Sequence, residues 1–323
     1  MTPAEGPRAD VRLTVCIPCY SADGEAIAAA AQSAATQLPE RSELIVVPSG
    51  PASAITAELA LPAITRVTEP TEPPGLVHNF NRCLALAAGD LIHILHSDDT
   101  VAPGFYAIIL RLAEQYPDAA MYATGFRSDR DVAASTHEAA PQRLRGADAA
   151  RFLLADERHA AGNVVLTRRA VERLGAFREE YSFCPDEEAY LRWATLGGVA
   201  FDPVRLYVER THAGQARLAT WRHPDFVRTY VAARAAGARL FDERVGAIER
   251  ASTERRLASV AVSVAQADPA VALALLTALE EERPESRRSR RVRLARLAAR
   301  RRTVLRALLW RRRLKAALRR VRT

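Results

Sequence analysis

Between residues 13 and 126 apolar strand-like runs alternate with helix-like segments, and this alternation restricts the fold more than any other feature. LTVCIPC (13–19), ELIVVPS (43–49), LIHILH (91–96) and AAMYATGF (119–126) read as strands, with ITRVT (64–68) a weaker one. GEAIAAAAQSAATQ (24–37), LVHNFNRCLALAA (76–88) and GFYAIILRLAEQY (104–116) read as helices, with a short one near 52–60. Near-continuous apolar strands separated by helices require a largely parallel sheet covered on both faces. Ligands of such sheets bind beyond the carboxyl ends of the strands. Three loops therefore matter most: 18–24, 48–51 and 96–100.

After residue 127 the rhythm changes. Residues 128–146 read as a polar loop, followed by a helix near 147–155, a strand at 163–168, a helix at 186–197 and strand again at 199–214. From about 217 the chain is helical and rich in Ala and Arg. No internal repeat is visible.

The charge is divided unevenly. The chain of 323 residues carries +8 in total. From Arg283 onward there are 18 Lys/Arg and one acid, which leaves the preceding 282 residues at −9. An anionic partner of the tail need not be the substrate of the body. Four cysteines (Cys16, Cys19, Cys83, Cys184) are too scattered for a disulfide framework, and Cys16 and Cys19 read as small buried residues. The polar, Pro-rich start and an apolar run of only AVALALLTAL (270–279) point to a cytoplasmic protein.

GxGxxG, GxxxxGK[ST], GxSxG and HExxH are all missing, which argues against a classical dinucleotide site, a P-loop, a hydrolase elbow and a zincin. Asp98 and Asp99, where a central strand surfaces, offer hard oxygen ligands for a divalent cation; alone they fit a solvated turn capping the next helix better. His93 and His96, three apart on a strand, point to opposite faces. Asp186 falls at a helix start, where a carboxylate is stabilised by free N–H groups. His212 follows a strand in ERTHAGQ (209–215).

In this order and spacing the pieces resemble the family 2 glycosyltransferases of GT-A fold. IPCYS (17–21), SAATQ (33–37), ELIVVPSGP (43–51), GLVHNFNRCLALAAG (75–89), HSDDTVAP (96–103), LGAF (174–177), PDEEAYLRWA (185–194) and RTH (210–212) carry the resemblance, which covers about residues 12–215. It implies a GT-A domain at 11–215; outside it, residues 1–10 read as a disordered lead and 216–323 as an α-helical region. It implies that Asp99 and His212 bind Mn²⁺ or Mg²⁺, and that Asp186 is the catalytic base. Pro18, Tyr20, Ser49, Asn81 and Asp98 would hold the nucleotide-sugar, a UDP-sugar first, with dTDP- or GDP-sugars as alternatives. The acceptor would be a glycan or a lipid-linked glycan, and configuration would invert. The sequence departs from the family at Pro48 and Ser49, where acids are usual, at Phe80 and Pro185, and at His96, which replaces an Asp. A degenerate, non-catalytic member is the rival these departures suggest.

The tail SRRSRRVRLARLAARRRTVLRALLWRRRLKAALRR (286–320) places Leu294, Leu297, Leu305 and Leu308 on one side of a helical wheel, with Leu314, Leu318 and Val321 displaced. Adsorption to an anionic inner-membrane surface is the expectation, at roughly 1 kcal/mol per basic residue. Nucleic acid is the competing partner.

Overall fold

The computed structural model describes residues 12–20, 23–129, 140–155, 161–211, 219–301, 304–306 and 308. The chain forms two compact units, Met1–Thr211 and His212–Thr323.

The first unit is built on a nine-stranded mixed sheet in the order β3-β2-β1-β4-β8-β6-β9-β5, with β7 added against β9. Its strands are β1 (Leu13–Cys19), β2 (Ser42–Pro48), β3 (Thr65–Val67), β4 (Leu91–Ile94), β5 (Thr100–Val101), β6 (Met121–Ser128), β7 (Gln142–Leu144), β8 (Val164–Thr167) and β9 (Val199–Glu209). The half β3-β2-β1-β4 is parallel, as expected of strands that are apolar throughout. All seven residues of β1 are buried. The helices α1 (Gly24–Ala35) and α2 (Leu76–Leu86) pack on β1, and α3 (Phe105–Gln115) packs on β6 and β9. The direction reverses where β8 inserts antiparallel between β4 and β6. The fold is of the GT-A type, a mixed α/β sheet followed by a helical region.

Several elements differ from the sequence reading. Residues 52–60 form two short 3₁₀ turns, Gly50–Ala54 and Thr56–Glu58, the first opened by Gly50–Pro51. The polar stretch 128–146 contains the edge strand β7, held by Arg143 donating to the Gly197 carbonyl. A short helix, α5 (Arg168–Leu174), follows β8 directly, capped by the Thr167 hydroxyl. Between them lies α4 (Gly146–Leu154), and α6 (Pro185–Ala194) carries the acidic first turn.

Gly89 ends the segment after α2 for a steric reason. A Cβ there would stand 2.6 Å from the backbone nitrogen of Thr14 on β1. The Thr14 hydroxyl accepts from the Gly89 N–H at 2.8 Å, so β1 and the start of β4 are tied at close range.

The second unit comprises α7 (Phe226–Ala238), α8 (Glu243–Val264), α9 (Pro269–Glu282) and α10 (Arg290–Arg300). Asp242, Asp268 and Ser289 cap α8, α9 and α10 through their side chains. AVALALLTAL lies in α9 and buries Leu275, Leu276 and Leu279. A polar network crosses the interior: Arg234 donates to Thr253 and Ser252, Thr253 to Glu249, and Arg283 to both oxygens of Glu249 at 2.9 and 2.8 Å. Among the described residues no helix is long and apolar enough to cross a membrane.

Candidate active site at the carboxyl ends of the strands

Strand β4 stops at Ile94, and His96, Asp98 and Asp99 gather just beyond it, each offering a ligand atom within 4.8 Å of the others. The turn is held on its far side by Ser33 of α1 and by Gln37 just past the end of that helix. The Ser33 hydroxyl accepts from the Val101 N–H at 3.2 Å. The Gln37 amide donates to the Val101 carbonyl and accepts from the Phe105 N–H at 3.2 and 3.1 Å. The S-x-x-x-Q spacing, one helical turn, thus fixes the segment that follows the two aspartates.

Asp99 is nearly buried, at 5% exposure. Its Oδ2 accepts from the Tyr207 hydroxyl at 2.5 Å and its Oδ1 from the Arg210 N–H at 2.9 Å. Burial pushes its carboxyl up to about 6; Asp98 adds to the rise, while His96, Tyr207 and the Arg210 N–H oppose it. Burial also holds the Tyr207 hydroxyl well above its ordinary value, so it remains a donor. A carboxylate kept ionised here against desolvation favours a cation beside it. One imidazole nitrogen and two carboxylates form a donor set suited to Mn²⁺ or Mg²⁺, and each Asp99 oxygen retains a lone pair beyond its present bond. His96 Nδ1 lies 3.7 Å from Asp99 Oδ2.

The two histidines separate because His93 lies within β4 and His96 lies past its end, not on the strand as expected. His93 is fully buried, its Nδ1 accepting from the Tyr106 hydroxyl at 3.0 Å and its Nε2 donating to the Gly162 carbonyl at 2.7 Å. His96 is half-buried and stacks on Phe80 at 5.8 Å. From Phe80 an aromatic chain continues to Phe177 (5.4 Å), Trp193 (5.0 Å) and Tyr190 (5.8 Å). Phe80, which departs from the family pattern, therefore links the acidic turn to α6. Asp186 occupies the first turn of α6, half-buried. Arg192 anchors that helix, donating to both Glu188 oxygens and to the carbonyls of Leu174, Gly175 and Ala176.

The nucleotide-pocket candidates line the ends of β1 and β2. Pro18 is buried within β1, and Tyr20 is 58% exposed with its ring against Gly50. Ser49 is fully buried, and its hydroxyl has no hydrogen-bond partner among the described residues. Asn81 spends its amide on the backbone of Phe177, donating to the carbonyl and accepting from the N–H, both at 3.0 Å. The neighbouring Asn79 is the asparagine that braces the strand ends: it donates to the Cys19 and Val47 carbonyls and accepts from Thr71. His212 lies outside the described residues.

Sequence reasoning did not find Tyr207, Gly162 or Asn79. A Cβ on Gly162 would stand 1.9 Å from the Tyr207 hydroxyl, so only glycine admits the tyrosine that holds Asp99. The four cysteines are free and buried, and burial pushes the Cys19 thiol up to about 12, which removes a thiolate role.

The family model described as Glycosyl transferase family 2 matches residues 14–175. A curated relative, "Uncharacterized protein MT1568" of Mycobacterium tuberculosis (strain CDC 1551 / Oshkosh), is 33% identical over 105 residues, 32% of each chain. The aligned stretch thus spans about a third of that relative's length. Among solved structures, S. aureus TarS 1–349 in complex with UDP-GlcNAc is similar at a TM-score of 0.62 and 14% identity, over 90% of this chain and 92% of that one. The mannosyltransferase PcManGT of Pyrobaculum calidifontis, in complex with GDP-Man and Mn²⁺, is similar at 0.51 and 20% identity, over 92% and 88%. With the motifs in order, the sheet of this topology and half the chain matched, the protein belongs to glycosyl transferase family 2.

Proposed function

We propose that the chain is an inverting, metal-dependent glycosyltransferase that moves a sugar from a nucleotide-sugar to a hydroxyl of a glycan or lipid-linked acceptor. The observation that carries this reading is the His96–Asp98–Asp99 cluster at the carboxyl end of β4, beside the ends of β1 and β2. The catalytic domain is assigned to 11–215 and the helical region to 216–323.

Asp99 and His212 would hold the cation, with His96 as a further nitrogen donor, and Asp98 would stand beside the cation and meet the donor ribose. A bound Mn²⁺ or Mg²⁺ supplies Lewis-acid neutralisation of the departing diphosphate. Pro18, Tyr20 and Ser49 border the base, and the donor is taken as a UDP-sugar, with dTDP- and GDP-sugars as alternatives; the Mn²⁺ and nucleotide-sugars bound by similar structures support this choice. Asp186 accepts the proton of the acceptor hydroxyl as that oxygen attacks the anomeric carbon, so one displacement inverts configuration. Tyr207 and the Arg210 N–H keep Asp99 oriented throughout.

The absence of carboxylates at Pro48 and Ser49 favours a second reading, a binding protein without turnover. Calorimetry with UDP-, dTDP- and GDP-sugars and Mn²⁺, paired with donor-turnover assays, separates the two. Turnover lost in Asp99→Ala supports the enzyme; donor binding without turnover supports the second reading, and no binding of any donor overturns both.

The protein is taken as cytoplasmic and peripheral, acting in polysaccharide or other glycan assembly, with residues 286–320 directed to an anionic membrane surface rather than to nucleic acid. The excess of 18 basic residues over one acid from Arg283 onward supports this.

A further inference from the structure

Helix α10 (Arg290–Arg300) buries its small side chains and turns its leucines outward. Val292, Ala295, Ala298 and Ala299 are buried, facing α8 and α9. Leu294 and Leu297 are 43% and 41% exposed, although Leu305, expected on the same side, is buried. An amphipathic helix packed on a soluble unit ordinarily does the reverse, with leucines inward. At about 100° per residue Arg290 falls on the same side as the two leucines, with Arg291 and Arg293 on its flanks.

The arginines of this face are not neutralised from within. Glu280 is engaged by Arg296 at 2.8 Å and Arg287 at 3.8 Å. Arg290, Arg291, Arg293 and Arg300 are exposed and have no ion-pair partner among the described residues. The result is an apolar pair framed by four unpaired guanidinium groups on a folded helix.

We propose that this face of α10 docks on an anionic phospholipid bilayer, the leucines entering the headgroup–acyl boundary and the arginines pairing with lipid phosphates. Both halves of the pattern then find a partner. Apolar side chains leave water, and long arginine stems lie along them while their charged ends reach the phosphate layer. Nucleic acid would satisfy the arginines and leave the leucines wet. The inference rests on reading residues 286–320 as membrane-directed, and narrows the contact to the folded helix within them.

The test is co-sedimentation of the full chain with phosphatidylcholine vesicles, with and without phosphatidylglycerol. Binding is expected only with phosphatidylglycerol, and to weaken with salt. Leu294→Ser/Leu297→Ser is expected to lower partitioning by about tenfold or more while the chain stays folded, with at most a modest fall in melting temperature, since both side chains are already partly exposed. Arg290→Glu/Arg293→Glu is expected to lower it by a similar factor. A serine variant that binds as well as the parent overturns the inference, while loss of binding on removing 302–323 alone would leave the membrane reading standing on the tail. Failure of the parent to bind phosphatidylglycerol vesicles overturns both. Tighter binding to single-stranded RNA than to vesicles, unaffected by the serine substitutions, overturns the inference in favour of nucleic acid.

Discussion

Tyr207 donates its hydroxyl to Asp99 at 2.5 Å across a gap of 108 residues in sequence, joining β9 to the turn beyond β4. Strand β9 pairs with β5 through Thr100↔Val208 and Val101↔Tyr207, so the donor and its acceptor are aligned by the same ladder. Tyr207→Phe keeps the buried ring and removes one hydrogen bond to a charged group, worth about 1.5–3 kcal/mol. A fall in kcat/KM of about tenfold or more with a weakened Mn²⁺ response is expected. Steady-state kinetics against Mn²⁺ concentration check this, with circular dichroism to verify the fold.

Gly162→Ala drives a methyl into the Tyr207 hydroxyl, from which a Cβ would be 1.9 Å. The variant is expected to lose roughly 1–3 kcal/mol of stability and most turnover. Because the clash is partly with the hydroxyl, Gly162→Ala/Tyr207→Phe should lose less stability than the two single changes summed. Denaturant melts arranged as a double-mutant cycle measure that difference.

His93 gives the fold a pH dependence. Burial lowers it from 6.5 to about 4, against the Gly162 hydrogen bond that raises it, and His96 lowers it further. Between those values the unfolded chain binds a proton that the folded chain refuses. The His93 contribution to stability therefore falls as pH drops from about 6.5 toward 4, by up to roughly 3 kcal/mol. Asp99, raised to about 6, contributes with the opposite sign over much of the same range. Chemical denaturation at a series of pH values should show the His93 contribution as the difference in slope between the parent and His93→Gln, the variant also being less stable at neutral pH. An unchanged slope in the variant would assign the effect to other groups.

Asp186→Asn should separate binding from chemistry. The first turn of α6 tolerates the amide, and Arg192 and Trp193 anchor the helix from its other end. Donor affinity by calorimetry should stay within a few-fold, while kcat drops by about 10²–10⁴. Equal losses in affinity and kcat would place Asp186 in donor binding instead.

Much of the first unit was legible because its determinants are local. Continuous apolar runs announce β1, β2 and β4, and Ser33 and Gln37 stand one helical turn apart because both hold the segment 101–105. Tyr207 and Gly162 were not legible: each is ordinary in its own segment and acquires a role only through the pairing of β9 with β5 and the contact with His93. His96 looked out of place where an acid is usual, yet it supplies the nitrogen of the cluster, a fact visible only once β4 is seen to end at Ile94. In the tail, a helical wheel grouped Leu294 with Leu305, but α10 ends at Arg300 and the two meet different surroundings.

The bidentate contact of Arg283 with Glu249 decides where this protein can be shortened. Glu249 is 2% exposed, and its cation comes from the link between α9 and α10. A chain cut ahead of residue 283 strands a carboxylate in the interior of the helical unit, at a cost of about 3–5 kcal/mol. The same network keeps all its members after a cut behind residue 301, which removes the buried Leu305 instead. The basic end of the chain thus divides into a part that behaves as a keystone and a part that adds only a single apolar contact among the described residues.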